Sequence, residues 1–270
     1  MYQSILFDCK ADLQAIFSSL HPVEWAILQP GGVTNRTVGM PANLAMIQLV
    51  CPKKGRIDMR TMKIVADSSA NMISLDAVSF ASAPLKVITD GREFVDDAAA
   101  SANEMLQYFD TYKGKSKTSC PNTVDWLDAF GDAEDIFCVT ITSGLSGSYN
   151  SACVAKQVYE ADYPNRRVFV IDSLSAGPEL VLIIEKLQSL ILEGFSFEEI
   201  CAKIKAYQET TGLVFVLESL KNFAANGRVS PAIAKIAGVL GIRIVGEASA
   251  QGTLAPVSKC RGEIKSLNEY

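Results

Sequence analysis

The chain has 270 residues and a formal net charge of −5, with 49% of residues apolar and 20% charged, the balance of a globular protein with room for one large domain or two ordinary ones. The basic residues are scattered, so no nucleic-acid partner is expected. The single histidine, His21, removes a Ser-His-Asp triad in the main body and most histidine-rich metal sites.

The N-terminus, "MYQSILFDCKADLQ", carries Asp8, Lys10 and Asp12 where a signal peptide needs an apolar core. Residues 1–61 show prolines and glycines but no strand-helix alternation. From Met62 the pattern changes. "MKIVADSSA" predicts a short apolar strand that ends in an acid and two hydroxyls, and "PLKVITD" a second strand. "AAASANEMLQYFDTY" has helical spacing, with Met105, Phe109 and Tyr112 on one face. "TSCPNTVDWLDAFG" predicts a turn and then a helix, with Asn122 as N-cap, Asp125 in the first turn and Gly131 as the stop.

"IFCVTI" predicts a strand, "LSGSYNSACVAKQVYEAD" a helix, and "RRVFVID" a strand. "GPELVLIIEKLQSLILEG" is a long helix that ends at Gly194. "SFEEICAKIKAYQE" opens on a capping box, Ser196 and Glu199. "GLVFVL" is a strand, and "SPAIAKIAG" a helix with Ser230 as N-cap and Pro231 at the first helical position. "IRIVGEAS" is a strand, Gln251-Gly252 a turn, and "TLAPVSKCRG" runs back. The alternation predicts an α/β fold, a mostly parallel sheet with helices on both faces. Closer strands after residue 212 predict a second, mixed α/β domain. The expected division is 1–61 as an extension, 62–175 as the first α/β domain and 176–270 as the second.

The seven cysteines, Cys9, Cys51, Cys120, Cys138, Cys153, Cys201 and Cys260, lack the spacing of a zinc knuckle and read as reduced thiols of a cytoplasmic protein. No window is apolar enough to span a bilayer; the best, Val229 to Val245, is broken by Lys235 and Arg243. The acids of "FVDDAA" and "FGDAEDIF" read as solvated loops, and neither a metal nor a cofactor is expected.

In a parallel α/β domain, ligands bind at the carboxyl ends of the strands. Three hydroxyl-rich turns are expected there: Asp67-Ser68-Ser69, Thr118-Ser119, and Thr142 through Gly147. Glycines let the backbone approach a ligand, and a helix N-terminus favours an anion. The constellation suits a carboxylate or phosphate held neutrally. For Asp67-Ser68-Ser69, a helix cap and a ligand contact are equally good readings. For "TSGLSGS" an anion site is preferred, because its glycines and hydroxyls exceed what a cap needs. The P-loop, the G-x-G-x-x-G fingerprint and the hydrolase elbow are all absent. Arg228, in an Asn-Gly-Arg turn, is either solvent-exposed or aimed at a ligand.

"KIVADSSA", "TSCPN", "TSGLSGSYNSA", "VFVIDS", "FVLESLKNFAANGRVSPA" and "PVSKCRG" resemble, in order and spacing, segments of the DegV family of bacterial fatty-acid-binding proteins. The resemblance runs from Met62 to about Arg261. It implies a two-domain protein of the EDD fold that buries one long-chain fatty acid between its domains and presents the carboxylate to a fatty acid kinase. By that carry-over the ligand-binding residues are Thr118, Ser119, Ser143, Gly144, Ser146 and Arg228. Thr118 and Ser146 would hydrogen-bond the carboxylate, with the loop N–H groups alongside. The physical reading agrees: about sixteen methylenes at about 0.8 kcal/mol each supply affinity, and the buried head group needs donors. "LVFVL" and "IAKIAGVLGI" are candidate tunnel linings, or plain core.

Two departures from the family pattern carry expectations. Residues 1–61 have no counterpart, and "KKGRIDM" reads like a purine-rich ribosome-binding site, so a start at Met59 or Met62 is expected. The chain stops at Tyr270, where family members usually continue to complete the second sheet and bring in a histidine. A fragment is therefore expected, with an exposed sheet edge, poor solubility and weak lipid retention. The leading function is a lipid carrier without catalysis. The alternatives are a hydrolase or phosphotransferase using the Ser146 loop and Asp67, and an interaction module with no ligand.

Overall fold

The computed structural model describes residues 60–217, 223–224, 226–229 and 242–261. The expected N-terminal extension (residues 60 and 61 apart), with the start candidate Met59, the helix predicted at "SPAIAKIAG" and the "IAKIAGVLGI" lining lie outside these residues.

The fold is α/β, built on a four-stranded parallel sheet in the order β2-β1-β6-β7. Its strands are β1 (Met62–Asp67), β2 (Ser79–Ala83), β6 (Asp135–Thr140) and β7 (Arg167–Asp172). The two central strands read as apolar runs because both faces are covered. All six residues of β6 are buried, as are the last four of β1.

Helices cover each face. Ile64, Phe137, Val139 and Ile171 point to one side and meet Leu180, Ile183, Ile184 and Leu187 of α4 (Pro178–Leu192) and Ile200 and Ile204 of α5 (Phe197–Gln208). Val65, Ile136, Cys138 and Val168 point to the other and meet Trp126 and Phe130 of α2 (Thr123–Phe130) and Ala152, Ala155 and Tyr159 of α3 (Ser148–Asp162). Each fully buried Leu or Ile contributes about 1.5–3 kcal/mol relative to an exposed one. Helix α4 packs on β1 and β6, and α5 packs on α4. The two helices after residue 175 thus belong to the first sheet's core, and the expected boundary there cuts through one packed unit.

The caps predicted at Asn122 and Ser196 are present. Asn122 Oδ1 accepts from Val124 N at 2.8 Å and Asp125 N at 3.0 Å, and Asp125 Oδ2 accepts from Asn122 N at 2.8 Å. Ser196 and Glu199 close the same box on α5. Gly131 ends α2 at φ 62°, where a side chain would be strained.

The second strand differs from expectation. The neighbour of β1 is not "PLKVITD" but "SFASA", whose small Ala81 and Ala83 leave room for Trp126 of α2. "KVI" instead forms β3 (Lys86–Ile88), the centre of a three-stranded antiparallel sheet with β4 (Glu93–Val95) and β5 (Lys117–Ser119). Of the stripe predicted on α1 (Ala102–Thr111), only Met105 is buried; Phe109 and Tyr112 join Tyr108 in an aromatic cluster, and Phe94 of β4 packs on Tyr108 and Phe109.

The later strands form a third sheet: β8 (Val214–Leu217), β9 (Ile242–Ala248) and β10 (Leu254–Arg261), antiparallel, in the order β10-β9-β8. The β9–β10 turn holds the predicted Gln251-Gly252 pair, with Gly252 at φ 68°.

One acid read as solvated is buried. Asp135 opens β6 with its side chain 1% exposed, and Arg60 and Arg167 both pair with it, Arg167 Nη2 at 2.6 Å. A carboxylate can be buried only when its charge is matched and its lone pairs are used, and here two guanidinium groups do both. No described helix is long and apolar enough to cross a membrane.

Candidate functional site

The β1, β6 and β7 strands end on the same side of the parallel sheet, and the loop from Ile141 to Gly147 leaves β6 there. Asp67, the last residue of β1, anchors it from behind. Its side chain is fully buried. Oδ1 accepts from Ser69 N at 3.3 Å and from the Ser69 hydroxyl; Oδ2 accepts from Ile141 N at 2.8 Å and Ser148 Oγ at 2.5 Å. Burial pushes the Asp67 carboxyl above the usual aspartate value, and the Ser148 and Ser69 hydrogen bonds oppose that shift. Of the two readings offered for this residue, the cap is present: Asp67 is the N-cap of the short 3-10 turn Ser68–Ala70. A carboxylate enclosed by four donors within the protein is placed to tie β1, β6 and α3 together, not to reach a substrate proton.

The loop itself spends most of its backbone donors. Ser143 N donates to Asp172 Oδ1 at 3.1 Å and Gly144 N to Thr142 Oγ1 at 3.1 Å. Leu145 N and Ser146 N both donate to Thr142 O. Ser148 N donates to Ser146 Oγ at 3.3 Å. The expectation that these N–H groups cradle an anion is corrected to that extent. What the loop presents is hydroxyl chemistry: Ser143 is exposed and Ser146 half-buried. The N-cap of α3, Gly147, has no side chain to cap the helix; Ser146 Oγ accepts from the first helical amide instead and keeps its own proton to donate.

Thr118 and Ser119, expected in a turn, lie in β5, paired with Val87 and Lys86. Ser119 Oγ donates to Cys120 O at 3.1 Å. Just beyond, the chain docks on the first turn of α3: Ser151 Oγ donates to Pro121 O at 2.7 Å. A Cβ at Gly147 would stand 3.4 Å from Cys120 Sγ. The structure thus brings the Thr118 segment up to the Ser146 loop. Cys120, read from sequence as an ordinary thiol, sits at their junction; the glycine opposite it is the signal that could have marked it. Burial raises the Cys120 pKa, so the thiol stays protonated.

Arg228 is half-buried, and its Nη2 donates to Thr118 Oγ1 at 3.1 Å. Arg228 is thus not simply solvent-exposed: it is tied to the β5 strand. The Thr118 hydroxyl therefore accepts from a guanidinium. Arg228, Thr118 and the Ser146 loop are donor types that suit a carboxylate or a phosphate, while the Ser119 hydroxyl proton is engaged by Cys120 O.

Residues 61–270 match the family described as "Uncharacterised protein, DegV family". The chain belongs to the DegV family. A DegV domain-containing protein of Streptococcus pneumoniae strain ATCC BAA-255/R6 is 46% identical over 211 residues, covering 77% of this chain and 75% of that protein. The crystal structure of a DegV family protein from Eubacterium eligens loaded with heptadecanoic acid aligns at a TM-score of 0.73 with 47% identity, over 77% of this chain and 75% of the other. That of the Streptococcus pneumoniae Fatty Acid Kinase (Fak) B3 protein loaded with linoleic acid aligns at 0.74 with 45% identity, over 77% and 76%. Both relatives thus hold long-chain acids, and one carries the name of the fatty acid kinase system.

Proposed function

We propose that this DegV-family protein binds one long-chain fatty acid with its carboxylate at Thr118, Ser119, Ser146 and Arg228, and presents that carboxylate to a fatty acid kinase as a carrier without catalysis of its own. The observation that supports this reading is the Arg228–Thr118 hydrogen bond on the segment that meets the hydroxyl loop: a guanidinium and hydroxyls are the groups that hold a carboxylate. Ser143 and Gly144 contribute the wall of the site, since their N–H groups are engaged elsewhere. The acids held by the two relatives support the ligand class. The sequestration of Asp67 argues against the hydrolase or phosphotransferase reading, which needs that carboxylate as a base.

An alkyl tail of about sixteen methylenes supplies the affinity, and the head group must recover the hydrogen bonds it loses with water. The direct test is titration with linoleic or heptadecanoic acid by calorimetry, with native mass spectrometry for stoichiometry. One acid per chain is expected. Absence of fatty-acid binding, with a polar metabolite recovered from the purified protein, would replace the carrier by an enzyme.

A further inference from the structure

The head-group loop is clasped by the turn of the third sheet. Thr142, 1% exposed, donates through Oγ1 to Gly252 O at 2.9 Å, and the same oxygen accepts from Gly144 N at 3.1 Å. The fit is close on every side. A Cβ on Gly252 would lie 2.0 Å from Thr142 Oγ1 and 2.9 Å from Leu174 Cα; one on Gly144 would lie 2.9 Å from Gly252 O. Leu174 is held at φ 54°, a left-handed conformation rare for a leucine and commonest where surroundings impose it. Asp172 Oδ1 accepts from both Ser143 N and Leu174 N. Three segments distant in sequence, the loop after β6, the loop after β7 and the β9–β10 turn, therefore meet around one hydroxyl.

We infer that Thr142 is a positioning residue whose hydroxyl couples docking of the Ser249–Thr253 turn to the shape of the 143–147 loop, so that binding of a fatty-acid carboxylate and closure of the turn strengthen each other. This rests on the proposed function. One hydroxyl serves both ends of the coupling: its proton holds the turn, and its lone pair holds the Gly144 amide that sets the loop's path toward Ser146. Linkage makes the effect reciprocal, so a ligand that favours the clasped loop tightens the turn by the same factor.

The test compares the full chain with Thr142→Val, which keeps the shape and removes the hydroxyl, and Thr142→Ser, which keeps the hydroxyl. Amide exchange at Gly144 and over residues 249–253 is followed with and without linoleic acid, together with stopped-flow dissociation of the acid. In ligand-free Thr142→Val, exchange at these amides is faster than in the wild type. Dissociation is about three- to tenfold faster, the effect of one lost hydrogen bond, and the acid no longer slows exchange over 249–253. Thr142→Ser restores that slowing. Should Thr142→Val fail to fold, Gly252→Ala breaks the clasp from the other side and is read in the same way. Equal acid-dependent protection of 249–253 in Thr142→Val and wild type overturns the coupling. A wild-type chain that binds no fatty acid overturns the functional reading and the coupling with it, and the ligand-free exchange then reports on the clasp alone.

Discussion

Arg228 Nη2 donates to Thr118 Oγ1 at 3.1 Å, joining two residues 110 positions apart. This contact brings a guanidinium to the hydroxyl of a β5 residue. In the proposed binding mode, a carboxylate there gains a charge-assisted hydrogen bond in place of its water, which neutral donors alone supply less well.

Arg228→Ala is expected to weaken fatty-acid binding by about 1.5–3 kcal/mol, the range for hydrogen bonds to charged groups. A fatty alcohol of equal chain length should lose much less, because it brings no charge. Calorimetric titration of both ligands checks this. Equal losses for acid and alcohol would mean that Arg228 acts through packing alone.

In the proposed binding mode, Thr118→Ala and Ser146→Ala should each cost about 1–3 kcal/mol of affinity, since each removes a donor from a buried charged acceptor. Binding of a fluorescent fatty acid, measured by displacement, gives the numbers. Unchanged affinity in the double variant would put the head group elsewhere.

Asp67 should make stability fall as pH rises. Its carboxyl is shifted above the usual value in the folded state, chiefly by burial. Between the ordinary aspartate pKa and that raised value the folded chain binds more protons than the unfolded one, so the slope of stability against pH is negative. The contribution is fully present below the ordinary value and is lost as pH climbs through the folded one. Thermal melts of wild type and Asp67→Asn across this range should diverge: whatever the offset between them, wild type loses ground to the variant as pH increases. A difference in melting temperature that is constant with pH would show that the carboxyl is not shifted.

Arg167→Ala should lower stability by about 3 kcal/mol, because it strips one of two partners from the buried Asp135. Fatty-acid affinity should hold, since Asp135 opens β6 at the end of the strand opposite the Ser146 loop. Urea unfolding and ligand titration on one preparation separate the two effects. A large loss of affinity in a folded variant would mean that the sheet transmits the change along its length.

Much of the parallel core was legible in advance because its signals are local. β1, β6 and β7 are apolar runs, as interior parallel strands must be. Helices α2 and α5 announce themselves by capping boxes four residues long, and α4 by Pro178 in its first turn. β2 was not legible: "SFASA" has no apolar run, and it is a strand because β1 offers an open edge and α2 needs small residues beneath Trp126. The three-residue strands β3, β4 and β5 are too short to show a period, so Thr118 and Ser119 looked like a turn.

The sequence by itself determined that hydroxyls and glycines would gather after β6, that the chain would alternate strand and helix, and that its ordered motifs resemble the DegV family. Tertiary structure alone decided which donors remain for a ligand. Thr142 and Asp172 take the N–H groups of residues 143–146, Asp67 closes on Ser148 from 81 positions away, and Arg228 comes to Thr118 across 110. A period in the sequence encodes which face of an element is apolar. It carries no distance between segments that meet only when the chain is folded, and hydrogen bonds and charge at this site are functions of that distance.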